Sequence, residues 1–255
     1  MLFLIGLGLD KGDISEKGLQ TIKRASKLFI DPYTNLVSDD YIIYLEEKTG
    51  KKVEKLSRSD LEENAIKIVD LAKNEDVAVL VSGDPLIATT HHTILDLAKS
   101  KNVEAKVIHS SSIFSAAIGE SGLDIYRFGP TTTIPFWSEK YKPVSFIDVI
   151  KRNIDNNEHT LVLLDYNYKE KKPMPIEEAI SLLQKAEEQR GINLIKKILV
   201  LADLGKEDQK IFFGTIEAIL SKKEILKGKV ISIIIPSNPN FAEEEALSKY
   251  SISNI

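Results

Sequence analysis

The stretch that most constrains this chain is VAVLVS, Val77–Ser82, which stops abruptly on Gly83-Asp84-Pro85. A short, continuous apolar run bounded by turn residues reads as a strand buried on both faces. A strand of that kind needs helices above and below it. The first half supplies them by alternation: LFLIGLG, LFID, KKVEKL and VEAKVIH read as further strands. SEKGLQTIKRASK, SDDYIIYLEEKTG and TTHHTILDLAKS read as the intervening helices. Gly50 fits the C-cap of the second helix. Ser59-Asp60-Leu61-Glu62 has the capping-box pattern and predicts a helix from there to about Asn74. Strand–helix alternation implies a largely parallel sheet covered on both faces.

The second half has a looser rhythm. TTTIP, HTLVLLD, KKILVLADLG and KVISIIIPS predict strands, with KIFFGT a shorter one. SFIDVIKRNIDNN is helical, Pro175 fits the first position of a helix running to about Arg190, and a last helix begins near Ala242. The fold class is therefore α/β, with two α/β domains spanning residues 1–113 and 114–255. The boundary between them reads as lying near residues 113–125, with a short linker.

Composition narrows the function classes. The 255 residues are 43% hydrophobic and 28% charged, a globular balance with enough apolar material for sizeable cores. A net charge of −4 gives no basic bias toward nucleic acid. The chain has no cysteine, which excludes disulfides, thiol nucleophiles and Cys-ligated metals. The apolar start MLFLIGLGL lacks a basic flank and runs into folded-looking sequence, so it does not read as a signal peptide. No apolar run approaches ~18 residues, so no membrane span is expected. A cytoplasmic protein is expected.

Candidate site residues cluster after strands. Gly6-Leu7-Gly8 lets a ligand approach the backbone or simply makes a tight turn. It does not complete G-x-G-x-x-G, because Lys11 stands where the third glycine belongs, and this argues against a dinucleotide. Asp84 places a carboxylate where a ligand could meet it, outside a strand's carboxyl end. It also suits an N-cap, with Pro85 at the first helical position. HSSSIF, His109–Phe114, offers hydroxyls and N–H groups for a carboxylate or ribose, or an ordinary serine cap, or both. Adjacent His91 and His92 point about 100° apart on a helix and cannot readily share a metal. His92 reads as packing or helix surface and His91 as a groove residue. His109 and His159 stand alone, so no metal site is expected. No Gly-x-Ser-x-Gly elbow supports a hydrolase. YKEKKP, 168–173, reads as a solvated loop.

Taken together, FLIGLGL, GDPLIATTH, HSSSIFSAAIGESGLDIYRFGPTTTIP, SFIDVIKRNIDNNEHTLVLLD, ILVLADLG and VISIIIP resemble the diphthine synthases. These form a branch of the tetrapyrrole-methylase-like S-adenosylmethionine methyltransferases. GDPLIATTH followed by GLDIYRFGP is the part specific to that branch. The resemblance implies a cofactor cleft between the two α/β domains, with the Gly-Asp-Pro loop beside it. By motif matching, Leu9, Asp84, Ile87, Ser112 and Ile113 fall on cofactor-binding positions in the first domain. Leu164, Leu204 and Ile231 do so in the second. FWSEKYKP departs from the family's sequence and takes no assigned role.

The resemblance further implies S-adenosylmethionine as cofactor, with S-adenosylhomocysteine as product. It implies successive methylation of the amino group of an aminocarboxypropyl-histidine on elongation factor 2, and a homodimer. The apolar strands of the second domain could supply a dimer interface of standard size, roughly 1,600 Å² or more. No residue stands out in the sequence as a general base, so no catalytic residue is assigned. A corrinoid- or porphyrin-precursor methyltransferase is the alternative, and a non-enzymatic nucleotide-binding protein a second one. No nucleic acid or membrane partner is expected.

Overall fold

The apolar runs of the first half become strands because their side chains alternate between two covered faces. The computed structural model describes residues 1–33, 36–167 and 170–252. The chain divides into two compact units, Met1–Ile113 and Phe114–Ile255. The first contains β1 (Leu2–Gly6), α1 (Glu16–Arg24), β2 (Lys27–Asp31), α2 (Asp39–Thr49), β3 (Val53–Lys55), α3 (Arg58–Glu62), α4 (Ala65–Leu71), β4 (Val77–Val81), α5 (His92–Ser100) and β5 (Ala105–Ile108). The sheet order is β3-β2-β4-β1-β5, and every pairing is parallel. Leu2, Leu4, Val77 and Val79 pack on one face with Ile68, Val69 and Ile94 of α4 and α5. Phe3, Ile5, Ala78 and Leu80 pack on the other with Ile22, Ile42 and Leu45 of α1 and α2.

Two helix starts differ from the sequence expectation. The capping box before α3 is built on Ser57, not Ser59: Ser57 Oγ accepts from Asp60 N, and Asp60 Oδ2 accepts from Ser57 N at 2.8 Å. The single helix expected to run to Asn74 is two short ones. Between them, Asn64 donates through its side chain to the Ser59 carbonyl at 3.3 Å, the kind of local bond that competes with a helix ladder. α5 begins at His92 rather than at Thr89, because Ala88 adopts φ 56° and Thr89 Oγ1 donates back to the Pro85 carbonyl at 2.7 Å. α2 ends as expected, on Gly50 at φ 67°.

The second unit is mixed. α6 (Ile113–Ser121) occupies most of the stretch expected to hold the domain boundary and its linker. It is followed by β6 (Thr132–Ile134), α7 (Ser145–Asp155), β7 (Thr160–Leu164), β8 (Tyr166–Asn167), β9 (Lys172–Pro173), α8 (Ile176–Arg190), β10 (Lys197–Ala202), β11 (Lys210–Thr215), α9 (Ile216–Leu220), α10 (Lys223–Leu226), β12 (Ile231–Ile235) and α11 (Phe241–Ser248). The sheet order is β11-β10-β12-β7-β6. Only the β6–β7 pairing is parallel; the others are antiparallel. A single core joins Ile198, Val200 and Ile233 of the sheet to Ile147 and Ile150 of α7 and Ile180 and Leu183 of α8.

Several readings of this half need correction. Pro175 is the N-cap of α8, at ψ 148°, not its first helical residue. β11 has the same 6 residues as β10 and is not a shorter strand. YKEKKP is solvated at Glu170, Lys171 and Lys172 as expected, though Lys172–Pro173 form β9, which pairs with β8; Tyr168 and Lys169 of that stretch lie outside the described residues. Leu199, Leu201 and Ile234 are buried within one chain, while residues 211–215 of β11 are half-buried. Among the described residues no helix is long and apolar enough to cross a membrane.

A buried polar network closes the second unit. The Glu243 carboxylate, on α11, accepts from His159 Nε2 at 3.0 Å, Asp124 N at 3.1 Å, Asn240 N at 2.8 Å and the Arg127 guanidinium. His159 Nδ1 accepts from Ser237 N at 2.9 Å, which fixes the neutral Nε2–H tautomer. Burial pushes the His159 imidazole below its ordinary 6.5, against the pull of Glu243. Burial opposes the Glu243 charge too, but the Asn240 N–H and His159 outweigh it and hold the carboxyl below 4.5. In both cases the unfolded chain binds protons more readily than the folded one, so acidification costs stability. Stability should therefore fall as pH drops below 6.5 and fall further below 4.5. Glu243→Ala should cost roughly 1–3 kcal/mol by leaving the buried His159 Nε2–H and the Asp124 and Asn240 N–H groups without their acceptor. Urea denaturation across pH checks both.

Candidate functional site at the loops after β1, β4 and β5

The first sheet has a point where consecutive connections part. β1 and β4 are neighbours. After β1 the chain crosses to α1 on one face; after β4 it crosses to α5 on the other. Ligands of open α/β sheets sit at such a switch point, outside the strands' carboxyl ends.

The loops there are tied main chain to main chain. Gly8 N donates to the Gly83 carbonyl at 3.2 Å, and Gly83 N to the Gly8 carbonyl at 2.8 Å. Both glycines have left-handed φ, 77° and 73°. Gly6 is needed for a different reason: a Cβ there would stand 2.6 Å from the Gly83 carbonyl oxygen. The glycines of GLG thus serve contact between loops. Tyr41 of α2 braces the same turn, donating from its hydroxyl to the Leu7 carbonyl at 2.7 Å. Burial, with the nearby Asp13 charge, pushes that phenol above its ordinary range.

Asp13 is the residue that sequence reasoning missed. Its Oδ2 accepts from Leu9 N at 3.0 Å and Asp10 N at 3.1 Å, folding the loop after β1 back on itself. Its carbonyl accepts from Ser110 Oγ at 3.2 Å, which ties that loop to the end of β5. The signal in the sequence was slight, the second of two acidic residues shortly after GLGL.

Asp84 is not a helix cap. It is buried, its Oδ1 accepts from Leu86 N at 3.0 Å, and its Oδ2 accepts from Ser110 N at 3.3 Å and contacts His109 Nδ1 at 2.8 Å. His91 does not line a groove. It is buried, with Nδ1 at 3.1 Å from the Pro85 carbonyl and Nε2 at 3.1 Å from Asp31 Oδ2 at the end of β2. The Gly-Asp-Pro turn is therefore clamped to β2 on one side and β5 on the other. His92 is on the surface of α5.

Of the sequence-expected residues, Leu9, Asp84, Ser112 and Ile113 come together at this edge. Leu9 and Ile113 are half-buried and Ser112 is buried. Ile87 rides exposed on the turn after Pro85. In the second unit Leu164 ends β7, and Ile231 opens β12 at the same level, since Leu163 pairs with Ser232. Ile231 also pairs with Ala202, the end of β10, two residues before Leu204. These three share one end of the second sheet. Ile231 and Leu204 have buried side chains and can offer a ligand main chain only. The loop carrying Leu204 is held by Asp203, at φ 48°. Its carboxylate accepts from Lys206 Nζ at 3.0 Å, Lys229 Nζ at 2.9 Å and Val230 N at 3.1 Å. Burial opposes that charge, but the two lysines and the Val230 N–H hold the carboxyl below its usual range.

FWSEKYKP is anchored, although it carried no expected role. Phe136 N donates to Asp165 Oδ2 at 2.9 Å and Trp137 Nε1 to the Pro143 carbonyl at 3.1 Å. An open groove of ≈ 470 Å³ beside Trp137 is lined by Lys142, Glu178 and Lys185 among others, and by none of the expected site residues. Among the described residues no three His, Asp or Glu side chains are grouped to hold a metal.

Residues 1–220 match the family described as tetrapyrrole (corrin/porphyrin) methylases. A diphthine synthase of Methanocaldococcus jannaschii is 38% identical over 261 residues, covering 100% of both chains. One from Methanothermobacter thermautotrophicus is 37% identical over 97% of this chain and 94% of its own. A crystal structure of diphthine synthase superposes with TM-score 0.86 at 33% identity, covering 98% of this chain and 95% of that one. A conserved hypothetical protein from Aeropyrum pernix superposes with TM-score 0.88 at 28% identity, covering 100% and 91%. The fold is that of a tetrapyrrole-type methylase. Within that class, the chain belongs to the diphthine synthase family.

Gly6→Ala should separate the two bridged loops, because the Gly83 carbonyl it meets is main chain and cannot swing aside. A loss of roughly 1–3 kcal/mol is expected for such overpacking, read as a lowered Tm. Gly119→Ala, where an added Cβ meets nothing within 4 Å, should leave Tm unchanged or raised.

Proposed function

We propose that this chain uses S-adenosylmethionine to methylate the amino group of 2-(3-amino-3-carboxypropyl)histidine on elongation factor 2, producing diphthine in diphthamide biosynthesis. The observation that carries this reading is the full-length likeness to diphthine synthases. Support comes from the loops tied together at the switch point of the first sheet, where the family resemblance puts cofactor contacts. The residues proposed to hold the cofactor are Leu9, Asp84, Ile87, Ser112, Ile113, Leu164, Leu204 and Ile231. Their chemistry fits it: serine hydroxyls and the start of α6 suit its polar ends, and half-buried Leu9, Ile113 and Leu164 suit the adenine.

A sulfonium methyl is already electrophilic, so the protein's task is to align the amine nitrogen with methyl carbon and sulfur and to exclude water. Because the acceptor sits on a large folded protein, docking outside the site lowers the entropic cost of alignment. Short peptides bearing the same modified histidine are therefore expected to be poor substrates. The family resemblance also supports a homodimer, which light scattering at micromolar concentration would test.

Incubation with labelled S-adenosylmethionine and the modified factor should give successive mass gains of one methyl on that side chain. Unmodified factor should not react, since its imidazole lacks the amine. Methylation of a corrinoid precursor, with none on the factor, would replace this reading by the other branch of the superfamily. By calorimetry, S-adenosylmethionine or its demethylated product should bind and NAD should not. Asp84→Ala should weaken that binding by tenfold or more, about 1.4 kcal/mol, while His92→Ala should have little effect.

A further inference from the structure

The chain has 4 histidines, and their environments separate them sharply. His91 is buried, with its two nitrogens directed at the Pro85 carbonyl and the Asp31 carboxylate. His159 is buried, with its two nitrogens spent on Ser237 N and Glu243. Both are structural. His92 is exposed in the first turn of α5 and has no carboxylate partner among the described residues. His109 alone combines an orienting carboxylate with an open ring nitrogen. Its Nδ1 lies 2.8 Å from Asp84 Oδ2, while its side chain is 67% exposed and that of Asp84 only 6%.

The direction of that bond follows from Asp84's other partners. Both of its oxygens already accept main-chain N–H groups, from Leu86 and Ser110. The carboxylate is an acceptor, so Nδ1 carries the hydrogen and donates it. The lone pair of the neutral ring is then on Nε2, which no described residue engages. A buried carboxylate behind Nδ1 fixes the tautomer, fixes the ring's orientation and stabilises the imidazolium formed when Nε2 takes a proton. The pair stands between the Gly-Asp-Pro turn and the serines of HSSSIF, both proposed to hold the cofactor.

We propose that His109, oriented by Asp84, is the general base that frees the acceptor amine for methyl transfer. This rests on the function proposed above. The acceptor arrives as an ammonium and has no lone pair to offer. His109 Nε2 takes one proton, leaving a neutral amine and an imidazolium paired with Asp84. The nitrogen lone pair then forms the N–C bond to the methyl group as the C–S bond breaks. Its electron pair stays on sulfur, which leaves as the neutral thioether. The product is a methylated ammonium, and the imidazolium returns its proton to solvent. Each later methyl requires one more proton to be removed in the same way, so a single base serves every round. Asp84 does not touch the reacting atoms in this scheme; it is a positioning residue.

The test compares His109→Asn and His109→Ala with wild type. An asparagine amide can still donate to Asp84, so H109N keeps the tie between the two loops and removes only the base. H109N should lower kcat by about 10²–10⁴-fold, the usual contribution of a general base, while calorimetry shows affinity for S-adenosylhomocysteine within about threefold of wild type. Added imidazole should restore turnover to H109A in proportion to its concentration and leave wild type unchanged. H109N turning over at nearly the wild-type rate would overturn the proposal. So would loss of cofactor affinity in step with rate, or an H109A defect that imidazole does not relieve; each makes His109 a loop support. Wild type that transfers no methyl to the modified factor would instead refute the function itself, and this inference with it.

Discussion

Two hydrogen bonds between Gly8 and Gly83 organise the first unit. They join the chains just after two neighbouring parallel strands, at the point where those chains turn away to opposite faces of the sheet. The bond partners are main-chain atoms, so the register of the two loops does not depend on any rotamer. Everything polar at that edge is arranged from there. Asp13 folds the loop after β1 and catches Ser110. Asp84 catches the main chain after β5 and holds His109. His91 secures the same turn to β2 from beneath. A substitution at Gly6 or Gly8 would act on all of these together, because it would move the frame to which they are fixed.

The second unit reaches a comparable result with charge. Asp203 is held by two lysines and a main-chain N–H, and Glu243 by an arginine, a histidine and two main-chain N–H groups. Buried ions are costly to desolvate, and only complete hydrogen bonding makes such sites tolerable. Both carboxylates meet that condition. Each sits where a loop must be fixed: Asp203 after β10, and Glu243 against the GLDIYR segment. That segment belongs to the part of the sequence most specific to the diphthamide branch, and the structure gives it a physical role as one side of a buried ionic joint.

The first unit was largely legible because its signals are local. Short apolar runs such as LFLIG and VAVLV, bounded by turn residues, read as doubly covered strands, and SDDYIIYLEEKTG carries both of its own caps. The misses were also local in origin. Ser57 and Ser59 both suit a cap, and only the three-dimensional path shows which one closes the box. Thr89 and Thr90 look helical until Ala88 takes up a left-handed conformation. The site was harder to read. Asp84 was visible as a carboxylate after a strand, but its partner stands 25 residues further along, and no periodicity links the two. Asp13 was invisible for the same reason. His159 and Glu243, 84 residues apart, could be joined only by the fold.

The position of Glu243 has a consequence for how the polypeptide is made. The first unit ends at Ile113, so all five of its strands are available early in translation, and its sheet can assemble while the remainder is still being synthesised. The second unit cannot finish in that order. Arg127 and His159 are made early, yet their shared counter-charge lies on α11, and Tyr250 and Ile252 must return to pair with Phe213. Until α11 leaves the ribosome tunnel, a half-buried arginine and a buried histidine lack the carboxylate they share. The two halves are thus expected to fold on different clocks, the second waiting for α11 to emerge.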